Sequence, residues 1–350
     1  MDGEPVKIRA RAPLRLGLAG GGTDVSPYSD QYGGMVLNAT ISLFAHALIE
    51  ERSDGRVVFE ALDVGLSFEA DAAHPLPTDH DLGLVAQAYN RVVADHCGGV
   101  PFGVTIRTFA DVPPGSGLGS SSTLTVAVLA GLSEYRRLAL GEYDIAHLAF
   151  EIERQDMGLS GGKQDQYAAT FGGFNLMEFQ ANDRVVINPL RMRASAVSEL
   201  EASLILYYSG RSRSSATIID EQVKNVEGRK TRSLEAMHAL KAQAIGMKEA
   251  LLLGDFDYFG ELLRQGWTAK REMASQISND GIDAVLNSAI AAGANGGKVS
   301  GAGGGGFIMI SVPPERKPAV LNSLKDHEGR TFGCVFTSQG AEAWKLPRKR

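Results

Sequence analysis

The sequence predicts an α+β fold organised as two domains. Three observations carry that expectation. Short strands and helices are mixed along the chain without the regular strand–helix alternation of a doubly wound sheet. At 350 residues the chain is long enough for more than one core, and two is the expected number. An irregular stretch over 191–201 divides a strand-rich part, residues 1–195, from a part over 196–350 that opens on a new strand.

In chain order, Val6 to Leu18 alternates apolar and basic residues and reads as a strand that Pro13 interrupts. Met35 to Glu51 reads as a strand pair, followed by short strands at Val57–Glu60 and Leu66–Ala70. Leu82 to Cys97 places Leu84, Val85, Ala88, Val92 and Val93 on one face of a helix. Gly103–Thr108 is a strand, helices follow from Ser120 to about Leu138 and from Glu142 to Met157, and Gly158–Tyr167 is a polar loop broken by glycines. Phe171–Phe179 and Arg184–Leu190 suggest a hairpin. The second part reads as a strand at Ala202–Tyr208, then helices near 213–227, 233–253, 255–275 and 281–292. A strand at Phe307–Val312, a helix near 314–326 and a strand near Phe332–Thr337 complete it.

Composition narrows the function. Apolar content of 44% with 22% charged residues fits a globular protein. A net charge of −6 gives no long-range attraction to nucleic acid or to an anionic membrane, so an anionic substrate has to meet local cations. Cys97 and Cys334 stand alone, without a CxxC, and so suggest neither a metal centre nor a disulfide framework. Met1–Lys7 lacks the apolar segment of a signal peptide and no apolar run reaches membrane-spanning length, so the expected location is the cytoplasm. The basic end, Arg348–Arg350, reads as a solvated tail; the sequence does not indicate an oligomeric state.

Much of the glycine, 41 residues in all, lies in three clusters. The most informative stretch is Asp111–Thr123, with Pro113, Pro114, Gly115, Ser116, Gly117, Leu118, Gly119 and then Ser120, Ser121 and Ser122, ahead of the apolar run Leu124–Leu132. Alternate glycines let a backbone approach a ligand, and the first turn of a following helix offers unpaired N–H groups at the positive end of its dipole. Together they describe an anion site, most naturally for phosphate. A tight turn with a capping serine needs one glycine and one serine, and here both are repeated. No cluster ends in Gly-Lys-Ser/Thr, which excludes a Walker A loop. Gly301–Gly306 has the letters of a dinucleotide fingerprint but precedes a strand, and Gly115–Ser120 lacks the third glycine.

Three motifs in order, Ala12–Asp24, Pro113–Ser122 and Lys298–Gly306, resemble the GHMP kinase superfamily over essentially the whole chain. The form Gly20-Gly-Gly-Thr-Asp24, with Tyr208-Ser-Gly-Arg-Ser-Arg, is most similar to the branch that phosphorylates D-glycero-D-manno-heptose 7-phosphate at its anomeric hydroxyl. The near neighbours in the superfamily are fucokinase-like and galactokinase-like. The resemblance implies a ribosomal-protein-S5-like N-terminal domain, a ferredoxin-like C-terminal domain, ATP as phosphate donor and Mg²⁺ beside it.

The same resemblance implies roles for individual residues, each with a plainer alternative. Gly115–Ser122 would hold the ATP phosphates. Ser121 and Glu153 would hold Mg²⁺, although a serine there can equally cap the helix and Glu153 can equally be a solvated helix residue. Asp165 matches the aspartate that accepts the substrate's proton, or it forms an Asx turn. The loop departs from the mevalonate kinase pattern, with Lys-Gln before Asp165 and one extra residue after Glu153. Arg15 would offset charge on the transferring group, or lie on the strand surface. Gly21, Gly22, Thr23 and Asp24 would meet the sugar, with Gly162, Ser300, Gly301 and Gly303 on the same side. A terminal phosphate needs cations, and Lys163, Arg211, Arg213 and Lys298 are candidates.

Overall fold

The computed structural model describes residues 4–210 and 215–347. Its strands are β1 (Lys7–Ala19), β2 (Gly34–Glu51), β3 (Arg56–Ala61), β4 (Leu66–Asp71), β5 (Val104–Ala110), β6 (Phe174–Phe179), β7 (Val185–Pro189), β8 (Leu204–Tyr208), β9 (Gly296–Val299), β10 (Phe307–Ser311), β11 (Arg330–Phe332) and β12 (Glu342–Lys345). They form two sheets. The larger runs β12-β1-β2-β5-β3-β4, with β6 also on β2 and β7 on β6; the smaller runs β11-β8-β10-β9. Every pairing is antiparallel except β3 with β5. The smaller sheet takes strands only from the second part of the chain, while β12 returns to pair with β1 in the larger one.

The α-helices are α1 (Tyr28–Tyr32), α2 (Gly83–His96), α3 (Ser120–Arg136), α4 (Glu142–Glu151), α5 (Gln164–Phe171), α6 (Ala194–Ala202), α7 (Ala216–Glu227), α8 (Thr231–Leu253), α9 (Phe256–Arg271), α10 (Asp280–Ala291) and α11 (Lys317–Ser323). Helices α2 and α3 bury Val85, Val92, Val126 and Leu129 with Ile8, Ile49, Phe59 and Ile106 of the large sheet. On the other side of the sheet, Leu14, Leu16 and Leu18 of β1 share a second cluster with Leu206, Met247, Phe259 and Met309 from the second part of the chain. The two halves of β1 therefore differ. Up to Ala12 it alternates buried and half-buried, and beyond that it is buried on both faces. A strand covered on both faces reads as a continuous apolar run, as this half does.

Four expectations are corrected. Pro13 does not end the first strand: β1 continues past it through register shifts between Pro13 and Arg15 and between Gly17 and Ala19. Such irregularities re-aim side chains, here at Arg15. The expected strand pair over Met35–Glu51 is the single long β2, whose ends take different partners, β6 at Gly34–Ala39 and β5 at Ala45–Glu51. The stretch over 191–201 read as irregular contains α6. The helix expected from Glu142 to Met157 is α-helical only to Glu151 and continues as a π-helical turn, Ile152–Asp156.

Candidate active site

The cleft sits where the three glycine motifs meet, with room of about 340 Å³. Its floor is the glycine loop and the start of α3. Gly115, Gly117 and Gly119 all take positive φ, at 72°, 80° and 78°. Among the described residues no side chain caps α3, whose N-cap is Gly119, and no acidic residue lies in its first turn. The serines are thus not helix caps, and the positive end of the helix faces the cleft. Loop 300–306 closes against this loop backbone to backbone. A Cβ on Gly301 would stand 2.7 Å from the Gly117 carbonyl oxygen, and one on Gly117 the same distance from that of Ser300. No side chain fits between them, which accounts for glycine in both motifs.

Arg15 and Asp165 are joined at the centre. The Arg15 Nε donates to Asp165 Oδ1 at 2.7 Å, and a second guanidinium nitrogen lies 2.6 Å from the same oxygen. A third donates to the Gly117 carbonyl at 2.7 Å. Arg15 is 4% exposed and Asp165 22%, so the arginine is buried behind a carboxylate that reaches the cleft. Asp165 Oδ2 accepts no hydrogen bond among the described residues, and a Cβ on Gly119 would sit 3.1 Å from it. One oxygen is fixed by a cation and the other is left toward the helix N-terminus.

Glu153 projects from the π-helical turn into the same region. π-turns accommodate one extra residue in a helix and recur at functional sites; this one spans Ile152–Asp156 and carries Glu153. Its Oε2 accepts from Ser122 Oγ at 2.7 Å and Gln166 Nε2 at 3.0 Å and lies 3.1 Å from the Arg154 guanidinium. Its Oε1 is buried without a partner among the described residues. Burial pushes the carboxyl above the usual range, with Arg154 and Ser122 opposing the rise. Glu151, two residues earlier, faces Arg91 instead, at 2.7 Å.

Several predicted residues are placed differently. Ser122 bonds Glu153, whereas Ser121 is exposed at the rim of the cleft. Asp24 borders the cleft, but both its oxygens are engaged. Oδ2 accepts the Lys163 and Gln164 backbone N–H groups at 2.9 and 3.1 Å, and Oδ1 accepts from Gln164 Nε2 and Gly22 N, each at 3.1 Å. It therefore anchors the start of α5 rather than offering a vacant acceptor. A Cβ on Gly162 would fall 1.9 Å from Asp24 Oδ2, so glycine is required there. Thr23 is buried, its hydroxyl bonded to the Gly20 and Met35 carbonyls. Gly21 and Gly22 shape that turn and do not border the cleft.

Lys163 turns away from the cleft to pair with Asp183 at 2.5 Å. Lys298 is buried behind β1, donating to the Gly17 and Leu18 carbonyls at 2.8 and 3.3 Å. Of the glycine loop, Pro113, Ser116 and Leu118 lie outside the cleft, Leu118 in the core. Gly115, Gly117, Gly119, Ser120, Gly162, Ser300, Gly301 and Gly303 border it. Arg211 and Arg213, like Arg348–Arg350, lie outside the described residues.

Sequence reasoning missed Arg154, Gln164, Gln166 and Lys270. Arg154 holds the Gly158–Lys163 loop through the Gly162 and Leu159 carbonyls, at 3.2 and 3.4 Å. Its adjacency to Glu153 was the only signal available. Gln166 comes one residue after Asp165 and reaches Glu153 only because α5 begins at Gln164. Lys270 lies in a helix distant in sequence from every motif, and nothing in the sequence marks it.

The sequence and the fold have counterparts in known proteins. Residues 83–173 match the family model for the GHMP kinases N terminal domain, and residues 247–329 that for the GHMP kinases C terminal. The D-glycero-alpha-D-manno-heptose 7-phosphate kinase of Campylobacter jejuni is 46% identical over 97% of this chain and 99% of that protein. The crystal structure of a D-glycero-D-manno-heptose 1-phosphate kinase from Bacteriodes thetaiotaomicron is similar at a TM-score of 0.83 and 43% identity, covering 97% of this chain and 99% of that one. The bifunctional fucokinase/GDP-fucose pyrophosphorylase of Arabidopsis thaliana is 28% identical over 93% of this chain and 32% of that protein.

Proposed function

The chain belongs to the GHMP kinase family, and we propose that it transfers the γ-phosphoryl group of ATP to the anomeric hydroxyl of D-glycero-D-manno-heptose 7-phosphate, giving the 1,7-bisphosphate and ADP. The observation that carries this reading is the Arg15–Asp165 pair set under the glycine loop at the uncapped start of α3. The loop N–H groups and the helix end cradle the phosphates. Asp165 Oδ2 takes the proton of the sugar hydroxyl as its oxygen bonds to the γ-phosphorus and the bond from that phosphorus to the bridging oxygen breaks. Arg15 fixes Asp165 and offsets charge on the transferring group. Asp24 positions the start of α5 and thereby Asp165.

Glu153, with Ser122 bonded to it and Ser121 at the rim of the same cleft, suits Mg²⁺ held with the phosphates. Its partnerless buried oxygen is the sort of group a cation satisfies, and Mg²⁺ commonly takes only one or two carboxylates besides phosphate oxygens. The ion would supply charge neutralisation at the β- and γ-phosphates. We place the division of the chain near residue 195, with β12 crossing back to the first sheet. We infer a cytoplasmic setting, where ATP is available; both cysteines are free, and no described helix is long and apolar enough to cross a membrane.

A second reading is a kinase for an unphosphorylated sugar such as fucose. It is favoured by the similarity to the fucokinase and by the engagement of Lys163 and Lys298 with protein groups. The Campylobacter and Bacteriodes proteins share a heptose in their names but differ in the phosphate position, 7 in one and 1 in the other. ADP release measured on heptose 7-phosphate, heptose 1-phosphate, fucose, galactose and mannose separates these readings. The heptose 7-phosphate is expected to react fastest. Equal rates with and without the terminal phosphate reject it, and ATP binding with no turnover on any sugar leaves a nucleotide sensor.

A further inference from the structure

Lys270 is a buried cation that the scheme above does not use. It lies in the last turn of α9, 4% exposed, and its ammonium donates to the Gly301 carbonyl. Gly301 is the point at which loop 300–306 meets Gly117. Four charged groups face Lys270 from the elements around it: Arg15 from β1, Asp165 from α5, Asp24 from the turn after β1, and Lys298 from β9. A lysine so far from water is rare unless paired. Among the described residues this one has a single hydrogen-bond partner, a backbone carbonyl, and stands among the groups proposed to handle the transfer.

We propose that Lys270 is a positioning residue for phosphoryl transfer: its ammonium clamps loop 300–306 against the phosphate loop and so fixes the walls on either side of Arg15 and Asp165. The far end of the loop is tied to the phosphate loop by the Phe307 N–H, which donates to the Ser116 carbonyl at 2.9 Å; at Gly301, which carries no side chain, the Lys270 ammonium supplies the hold. The clamp depends on charge. Burial, followed by the nearby Arg15, pushes the Lys270 ammonium down to about 8, against the opposing pull of Asp24 and Asp165. The lysine is charged below that pH, and the clamp weakens as pH rises through it. The inference rests on the kinase reading, since it concerns the step proposed there.

The test measures kcat and KM for the wild type, K270M and K270R from pH 6.5 to 9.5 on the best sugar of the panel, with thermal melting of each. Methionine fills the same buried space without charge. For K270M the expected result is a folded protein with kcat lower by about tenfold to a hundredfold, the scale of a misplacement near 1 Å, and a sugar KM little changed. Wild-type kcat falls as pH passes about 8, K270M shows no such limb, and K270R retains its rate there because guanidinium does not titrate. A wild type without turnover on the panel fails the kinase reading itself. Turnover with K270M unchanged in kcat overturns the clamp alone. Should neither variant fold, a wild-type rate flat to pH 9.5 overturns it.

Discussion

Asp165 gives one oxygen to Arg15 and leaves the other toward the cleft, and the division of labour proposed at the site depends on that asymmetry. Asp165→Ala is expected to fold normally and to lose roughly 10²–10⁴-fold in kcat, the usual share of a positioned acid–base group, as ADP release will show. Near-wild-type turnover removes Asp165 from the role. Glu153 makes a different prediction. Burial raises its carboxyl pKa, so the fold favours the neutral form and the ionised form costs stability once pH exceeds the ordinary carboxylate range. Glu153→Gln is therefore expected to raise the melting temperature of the ligand-free protein at pH 7.5 and to lose most of that gain near pH 4, where the carboxyl is largely neutral in both states. The same variant loses Mg²⁺-supported turnover, by at least about a hundredfold if the ion supplies several kcal/mol. A lower melting temperature contradicts the burial argument. That Arg15, Glu153 and Asp165 line one cleft was legible in the sequence because each lies in or beside a recognisable motif; their roles remain the proposal above. The orientation of Lys163 and Lys298 was not, because a lysine's charge is visible in a sequence while the direction of its side chain is set by tertiary packing.

At the scale of elements, the start of α5 and the π-turn position the carboxylates. Asp24 accepts two backbone N–H groups at the start of α5, and Gly162 passes so close that any side chain displaces it. Gly162→Ala is expected to cost about 1.5–3 kcal/mol for each charge-assisted hydrogen bond it breaks, read by urea unfolding, and to lower kcat because Asp165 lies two residues into the disturbed helix. Unchanged stability and rate contradict the anchoring role of Asp24. The start of α3 at Ser120 was legible from the run Gly119–Ser122, but the sequence left open whether a serine caps it, and the structure puts Gly119 at that position. The π-turn was hidden, because the periodicity of Glu142–Met157 is helical throughout and one extra residue alters it too little to be seen. The single strand β2 was mistaken for a pair because its two ends face different neighbours, an effect of topology rather than propensity.

For the whole molecule, two sheets share the apolar cluster around Leu14–Leu18, and the three glycine motifs converge at one edge of that contact. The order of the motifs and the α+β mixture were legible; the return of β12 to β1 was not, since four residues at the end of a chain carry no signal of a distant partner. If the cleft binds as proposed, ATP with Mg²⁺ at a hundred times its Kd stabilises the folded protein by about 2.7 kcal/mol, seen as a shift in thermal melting, and no shift contradicts phosphate binding. The central claim concerns which atom receives the phosphoryl group. Phosphorus and proton NMR of a reaction with ATP, Mg²⁺ and D-glycero-D-manno-heptose 7-phosphate tests it most directly. The account predicts a second sugar phosphate coupled to the anomeric proton, formed in equal amount with ADP. A new phosphate on any other carbon, or ADP formed without a new sugar phosphate, contradicts it.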